Sequence, residues 1–403
     1  MRRPDARAAA SAASPGDAIR AVGGAVRDAF LGKGGGDLDL VVPKGRGGPF
    51  AAKLAEQAGT RVIAVGAAPR GVLKVPFHEK EIDVWEEDGD AAADLLRRDF
   101  TVNALSFSLP DGAFTSAPGA LADLGAKRLV PPRSGVFLED PLRVLRAARF
   151  LAELPGFHVA RRAMAELREA GRFLRMVAGE RILAEMDRLL SAPSSDASRA
   201  LRFLERIGAL EILLQGTAPR ERRRGLLLVG ELNVKTPAPR VARALLLLPL
   251  GPERAQEFLR RWKTSREEMR LASRLFALPL RGARAARTRR DVAAFLRLSS
   301  PFEEESTAFL LAAGDTRARA LALAAGGILR RPASLRWILK PIRPLPFAEI
   351  SSLLGLPEGQ ELGRALAAFD LALASGDVRG ARAARAWLKR PGRDRMPFGP
   401  SVT

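Results

Sequence analysis

The chain has no cysteine, which excludes disulfides and thiolate zinc sites and accords with a reducing compartment. Histidine is almost as scarce. His78 and His158 are the two in 403 residues, too few for a histidine-rich metal centre or a paired-histidine hydrolase. No apolar run approaches the ~18 residues that a membrane span needs; "ALLLLPL" at 244–250 is far shorter. The opening stretch "MRRPDARAAASAASPGDA" lacks a continuous apolar core, which argues against a secretory signal. A transit peptide and a short disordered tail both fit, and the tail is preferred because arginine and alanine abound throughout. A cytoplasmic protein is the expectation. Negative charge is also in deficit, with 45 Asp and Glu against 66 Lys and Arg, a net charge of +21. Such an excess favours a polyanion, since contacts to nucleic-acid phosphates release counterions. A generally basic surface from an arginine-rich composition fits the same numbers.

What is present is enough apolar residue, 47%, for a sizeable core, and a length that suits two to four folding units. The pattern divides the chain. Between residues 17 and 135, short β-like runs ("LDLVV", "RVIAV", "GVLKV", "EIDVW", "ALSFSL") alternate with turn residues and one helical stretch, "PFAAKLAEQAG". Beyond about Asp140 the apolar period becomes helical and stays so, broken at "LPGF", "SAPSS", "KTPAP" and "KPIRPLPF". The expected fold is α+β: a mixed α/β head over 17–135, then an all-α neck over 136–195 and an all-α body and tail over 196–390. Disordered tails are expected at 1–16 and 391–403.

The densest chemistry lies in "AVGGAVRDAFLGKGGGDLDLVV", Ala21 to Val42. In "DLDLVV" the carboxylates of Asp37 and Asp39 point to one strand face while Leu38 and Leu40 point to the other. Two like charges so placed repel unless a cation lies between them, and magnesium favours one or two carboxylates plus substrate phosphates. Upstream, Gly23 and Gly24 let backbone N–H groups approach phosphates at a helix start, and Arg27 adds a fixed cation. Either feature alone is common: an Asp-x-Asp on an exposed strand is usually just solvated. Together they describe a nucleoside-triphosphate and metal site.

These residues resemble the head signature of the polymerase-beta-like nucleotidyltransferases that include bacterial CCA-adding tRNA nucleotidyltransferase and poly(A) polymerase. Three further stretches match in order. "DLLRRDFTVNALSF" (94–107) resembles the RRDFTxNA motif, "EDPLRVLRAARF" (139–150) the nucleotide-reading EDxxR helix, and "ERILAEMDRLL" (180–190) the ERIxxE neck motif. The likeness is dense over about 20–215 and faint later, where "GLPEGQELGRALAAFDLALASGDV" is similar to the usual C-terminal segment. It implies a catalytic head that performs magnesium-dependent transfer from CTP and ATP to a tRNA 3′ end, a neck that reads the base, and a helical body that binds tRNA.

Residue by residue, the resemblance implies that Asp37 and Asp39 hold metal and that Arg98 and Asp99 lie beside the incoming nucleotide, with Asn103 bracing the site. Read without it, Arg98 and Asn103 are a salt-bridged strand entry. Asp83 on "EIDVW" fits two roles equally, a third catalytic carboxylate or a solvent-facing strand residue. Asp140, Arg143, Arg146 and Arg149 recur every third residue and form a polar stripe along one helix. Asp140 and Arg143 offer an acceptor and a donor fork to a base edge, or else a helix cap and an ordinary ion pair. Arg146 and Arg149 would then contact base or triphosphate. Glu180, Arg181 and Glu185 are expected to brace the neck.

Two departures stand out. Eleven residues, Glu86 to Leu96, join Trp85 to Arg97, where relatives carry a longer flexible loop. In the family such shortening accompanies enzymes that add CC and leave the A to a separate enzyme. The "DP" often found after the RRDFTxNA strand is missing too. Three readings stand at this point: a tRNA nucleotidyltransferase adding CCA or only CC, a poly(A) polymerase using ATP alone, and an inactive RNA-binding protein.

Overall fold

The computed structural model describes residues 4–390 except 15, 35, 67–70, 79, 88–89, 233–238, 279 and 281–287. The expected tail 391–403 therefore lies outside the described residues, as does most of the break "KTPAP". Among the described residues no helix is long and apolar enough to cross a membrane. The chain divides into two compact units. The first holds the residues up to Val177 with Phe203–Leu213, and the second Ala178–Arg202 with the residues from Leu214 on. The segment 136–195, expected as one neck, contributes to both.

The first unit opens with α1 (Pro4–Ala12), β1 (Ile19–Val22), α2 (Gly24–Phe30), β2 (Leu38–Pro43) and α3 (Gly47–Ala58). There follow β3 (Ile63–Val65), β4 (Val72–Phe77), β5 (Lys80–Glu87), α4 (Ala91–Leu96), β6 (Leu105–Leu109) and β7 (Phe114–Ser116). Then come α5 (Ala120–Gly125), α6 (Val136–Glu139) and α7 (Arg143–Glu153). The seven strands make one mixed sheet in the order β3-β4-β5-β2-β1-β6-β7. β2 and β5 run parallel and the other neighbours antiparallel. The expected β-like runs all form strands, and the chain is α+β as its pattern predicts.

Alternation in β2 buries Leu38, Leu40 and Val42, each at 2% exposure or less, and turns Asp39 to the other face. Each such burial stabilises by roughly 1.5–3 kcal/mol, which holds the carboxylate strand in one register. A slip by one residue would drive the aspartates into the core.

The start of the chain corrects an expectation. Residues 4–12, expected within a disordered tail, form α1, with Ala9 and Ala12 fully buried. α1 packs on α3, and Lys53 Nζ of α3 donates to the Ala12 carbonyl at 2.7 Å. Alanine has the highest helix propensity and a side chain small enough for close helix contact, so an apparently featureless Ala-rich stretch folds once α3 offers a surface.

Among the described residues, the elements of the second unit are all helices. A Cβ on Gly179 would overlap the Arg261 carbonyl, and one on Gly225 the Leu246 carbonyl, so glycine permits these close backbone approaches. Arg243 is 2% exposed and pairs with both Asp187 and Glu268. A separate cluster of Leu345, Ile350, Leu354, Leu362 and Phe369 packs the helices Phe347–Leu354 and Gln360–Ser375.

Candidate active site

The site grows from the turn between β1 and α2. Gly23 has φ 73° and ψ −134°, a conformation that side chains rarely adopt, and its N–H donates to the Leu105 carbonyl at 3.1 Å. A Cβ there would stand 3.6 Å from Arg98 Nη1 and 3.7 Å from Asp39 Oδ2. The backbone, not crowding, therefore demands glycine, and the turn lies directly against a cation and a carboxylate. α2 begins at Gly24, so its first N–H groups follow the turn at once.

Asp39 lies opposite Asp83 in the parallel β2–β5 pair, and Asp83 lies opposite Lys74 in β4. Asp37, just before β2, accepts from the Glu81 N–H at 3.0 Å. Burial pushes the Asp39 carboxyl above its ordinary range, Arg98 pulls it down, and Asp83 and Asp37 push it up again. Lys74 Nζ donates to both oxygens of Asp83, at 2.9 and 3.1 Å, and to Glu81 Oε2 at 2.7 Å. Asp83 thus faces the same side as Asp39 but already has its cation.

No group of three acidic or histidine side chains among the described residues is arranged to hold a metal ion. Asp37 and Asp39 nonetheless fit a hard divalent cation that takes two carboxylates and completes its shell with phosphate and water oxygens. Burial is the main reason that Asp39 is raised, Asp83 and Asp37 add to it, and such a cation would relieve their repulsion.

The RRDF segment leads from α4 towards β6. Asp90 caps α4, accepting from the Ala92 N–H at 3.2 Å. Arg98 donates through Nε and Nη2 to Asp94 Oδ2, at 3.2 and 2.7 Å. Glu87 at the end of β5 pairs with Arg20 and, at 3.3 Å, with Arg97. Burial raises the Glu87 carboxyl, Asp94 adds to this, and the Arg20 guanidinium opposes it. These contacts tie down the end of β5 and the start of α4, the two described flanks of the link.

A second cluster lies deeper. Asp99, 5% exposed, accepts from the Phe100 N–H at 2.8 Å and Asn103 Nδ2 at 2.9 Å through Oδ1. Its Oδ2 accepts from Arg146 Nε at 2.7 Å and pairs with Nη2 at 2.6 Å. Burial alone would raise its pKa, but Arg146 and these hydrogen bonds hold it below the usual carboxylate value. Arg27 was expected to offer a cation to phosphates. It is instead 6% exposed, with Nε and Nη2 on Asp28 at 2.8 and 2.7 Å and Nη1 on Asn103 Oδ1 at 2.7 Å.

At the start of α7, Asp140 Oδ1 accepts from the Leu142 N–H at 3.3 Å. Arg143 spans two segments, donating to the Val136 and Arg97 carbonyls at 2.7 Å each. Arg149 is buried, with its guanidinium 4.6 Å from the Phe150 ring centre. In the second unit Glu180 pairs with Lys263 at 3.1 Å, and Glu185 is buried.

Gly23, Asp39, Asp83 and Arg98 thus converge, and Arg27, Asn103, Asp99 and Arg146 form a second, connected set. Sequence reasoning missed Lys74, Asp94, Glu87 and Phe150. The i,i+4 spacing of Asp94 and Arg98 was a usable signal, whereas Lys74 depends on cross-strand register. A groove of about 420 Å³ lined by Lys44, Val65, Leu73, Val84, Glu86 and Glu87 contains none of the expected site residues. It includes Val84, whose side chain alternates to the face away from Asp83.

The family described as "Poly A polymerase head domain" matches residues 19–130, and "Probable RNA and SrmB- binding site of polymerase A" matches 156–220. The chain is 32% identical to the CC-adding tRNA nucleotidyltransferase of Thermus thermophilus, over 96% of each chain. It is 36% identical to the CCA-adding enzyme of Leuconostoc citreum, over 44% of each. The fold resembles that of the Thermotoga maritima CCA-adding enzyme complexed with tRNA, with TM-score 0.64 and 18% identity over 96% of this chain and 98% of that one. With a full-length relative at this identity and a head built around Gly23, Asp39 and Arg98, the chain belongs to the CCA-adding tRNA nucleotidyltransferase family and is a nucleotidyltransferase.

Proposed function

We propose that this enzyme adds cytidylate residues to the 3′ end of tRNA and stops before the terminal adenylate. The convergence of the Gly23 turn, Asp39 and Arg98 within 3.7 Å of one Cβ position supports the transfer chemistry. In that reaction the 3′-oxygen of tRNA bonds to the α-phosphorus of CTP as the α–β phosphoanhydride breaks, releasing pyrophosphate. Asp37 and Asp39 are the residues that would hold Mg2+, which when bound neutralises the triphosphate and acidifies the 3′-hydroxyl. The Gly23 and Gly24 backbone at the start of α2 and the Arg98 guanidinium receive the phosphates. Asp83, held by Lys74, supports the field around Asp39 without binding metal.

Base choice falls to the start of α7. Asp140 supplies an acceptor, and each η nitrogen of Arg143 carries a second N–H beyond the one given to a carbonyl. Arg146 fixes that helix through Asp99. The helical region over 196–390 would bind tRNA through phosphates, as its many arginines suggest. The reaction is assigned to the cytoplasm.

The observation that carries the CC-only half is the β5–α4 connection. Switching from C to A requires the pocket to be reshaped, and the segment that joins Glu87 to Ala91 has three residues. Its flanks are tied by Glu87 to Arg20 and Arg97 and by Asp94 to Arg98. The full-length relative named as CC-adding accords with this reading. Incubation of tRNA lacking its CCA end with labelled CTP, and of tRNA already ending in CC with labelled ATP, tests it. Efficient addition of a single A to the latter would overturn the stop. Label should enter from CTP; incorporation from ATP into long tracts on any RNA would instead favour a poly(A) polymerase.

A further inference from the structure

α2 and α7 belong to opposite ends of the substrate. α2 starts at the Gly23 turn beside Asp39, where the triphosphate is proposed to sit, and α7 starts at Asp140, where the base is proposed to be read. One buried hydrogen-bonded chain joins them. Asp28 accepts from Arg27, Arg27 Nη1 donates to Asn103 Oδ1 at 2.7 Å, and Asn103 Nδ2 donates to Asp99 Oδ1 at 2.9 Å. Asp99 Oδ2 then receives Arg146 Nε at 2.7 Å on α7. The same two helices meet at Phe150, whose ring centre is 5.4 Å from the Arg27 guanidinium and 5.7 Å from that of Arg146. Each link is directional, and Asn103, Asp99 and Arg27 are all at 6% exposure or less. Shifting one end therefore shifts the other or leaves a buried donor or acceptor unpaired.

From this we infer that Arg27 is a positioning residue for nucleotide selection: acting through Asn103 and Asp99 on Arg146, it sets the register of the base-reading helix relative to the phosphate turn, and touches neither base nor phosphate. The inference rests on the proposed base-reading role of α7. It explains why an arginine is needed at this position. Its fork bridges Asp28 and Asn103 at once, which the single ammonium of lysine does not reproduce. A phosphate contact, by contrast, would be served by lysine as a point charge.

The test measures kcat/KM for CTP and for UTP, together with inhibition by pyrophosphate, which engages the phosphate end without any base. Arg27→Lys should lose at least tenfold of the CTP-over-UTP preference, mostly through kcat, with pyrophosphate inhibition unchanged within about twofold. Asn103→Ala cuts the next link and should give the same loss; it carries the test by itself if the lysine variant does not fold. The double variant should be no worse than the single ones, because both interrupt one chain. Retained preference with weakened pyrophosphate inhibition would overturn the inference in favour of direct phosphate binding. Multiplying losses in the double variant would overturn it in favour of independent roles. Asp140→Ala separates the underlying reading: preference lost in Arg27→Lys and kept in Asp140→Ala upholds the relay but removes Asp140 as base reader. Preference kept in both removes the relay as well.

Discussion

Asp99→Asn removes one charge at the centre of the site with almost no change of shape. The carboxylate takes two donors on each oxygen: the Phe100 N–H and Asn103 on Oδ1, and Arg146 twice on Oδ2. An amide keeps one accepting oxygen and turns an NH2 toward a donor on one side. Breaking a buried ion pair by removing one partner costs about 3–5 kcal/mol. Arg146 is 33% exposed and recovers part of its hydration, so about 2–3 kcal/mol is the better figure. For a unit of this size that lowers the melting temperature by about 5–10 °C. The pH dependence follows from the direction of the shift. Asp99 is more acidic in the folded protein than the ordinary value of 3.8. Its contribution is therefore complete above that value and is lost as pH falls through the lower folded pKa. Calorimetric melts of both proteins from pH 7 to pH 3 should show a constant gap down to about pH 5 that narrows below it. Equal melting at pH 7, or a gap undiminished at pH 3, would refute the placement of this charge.

Asp37→Ala or Asp39→Ala should abolish transfer while leaving melting temperature and RNA affinity nearly unchanged; a tenth of the wild-type turnover in either would rule out the metal-ligand role. Gly23→Ala forces a methyl-bearing residue into φ 73° and should cost about 1–3 kcal/mol, with turnover falling more than stability because the turn abuts Asp39 and Arg98. In the helical unit, Arg243→Ala strands Asp187 and Glu268 and should cost about 3–5 kcal/mol, and Arg243→Met, which fills the space but strands the same carboxylates, should remain clearly destabilising in the same melt. Affinity for tRNA should fall at least about tenfold between 50 and 200 mM salt and vary little with RNA sequence; a flat response would contradict binding through phosphates.

Much of the head was legible because its strands alternate cleanly. "DLDLVV" can bury its leucines in one way only, and that alternation turns Asp39 away from them, whereas Asp37 lies just before the strand. α7 was legible from its apolar stripe of Val144, Leu145 and Ala148. Long-range partners were not. Lys74 neutralises Asp83 because β4 and β5 pair in a particular register, and no local pattern encodes that register. Arg27 and Asn103 are 76 residues apart, so an arginine just after a glycine turn reads naturally as a phosphate ligand. α1 was missed because low-complexity alanine looks the same as a loose tail and as a helix waiting for a surface. The β5–α4 link reads as short from the sequence, but the tie of its flank Glu87 needs Arg20 from a different strand.

The most direct measurement is the sequence of the RNA product formed when pure enzyme meets tRNA lacking its CCA end in the presence of both CTP and ATP. The short β5–α4 connection, with its flanks tied down, predicts molecules that end in CC, with no further growth at long times or high enzyme. A product ending in CCA would contradict the stop before adenylate, and long adenylate tracts would contradict the assignment to tRNA altogether.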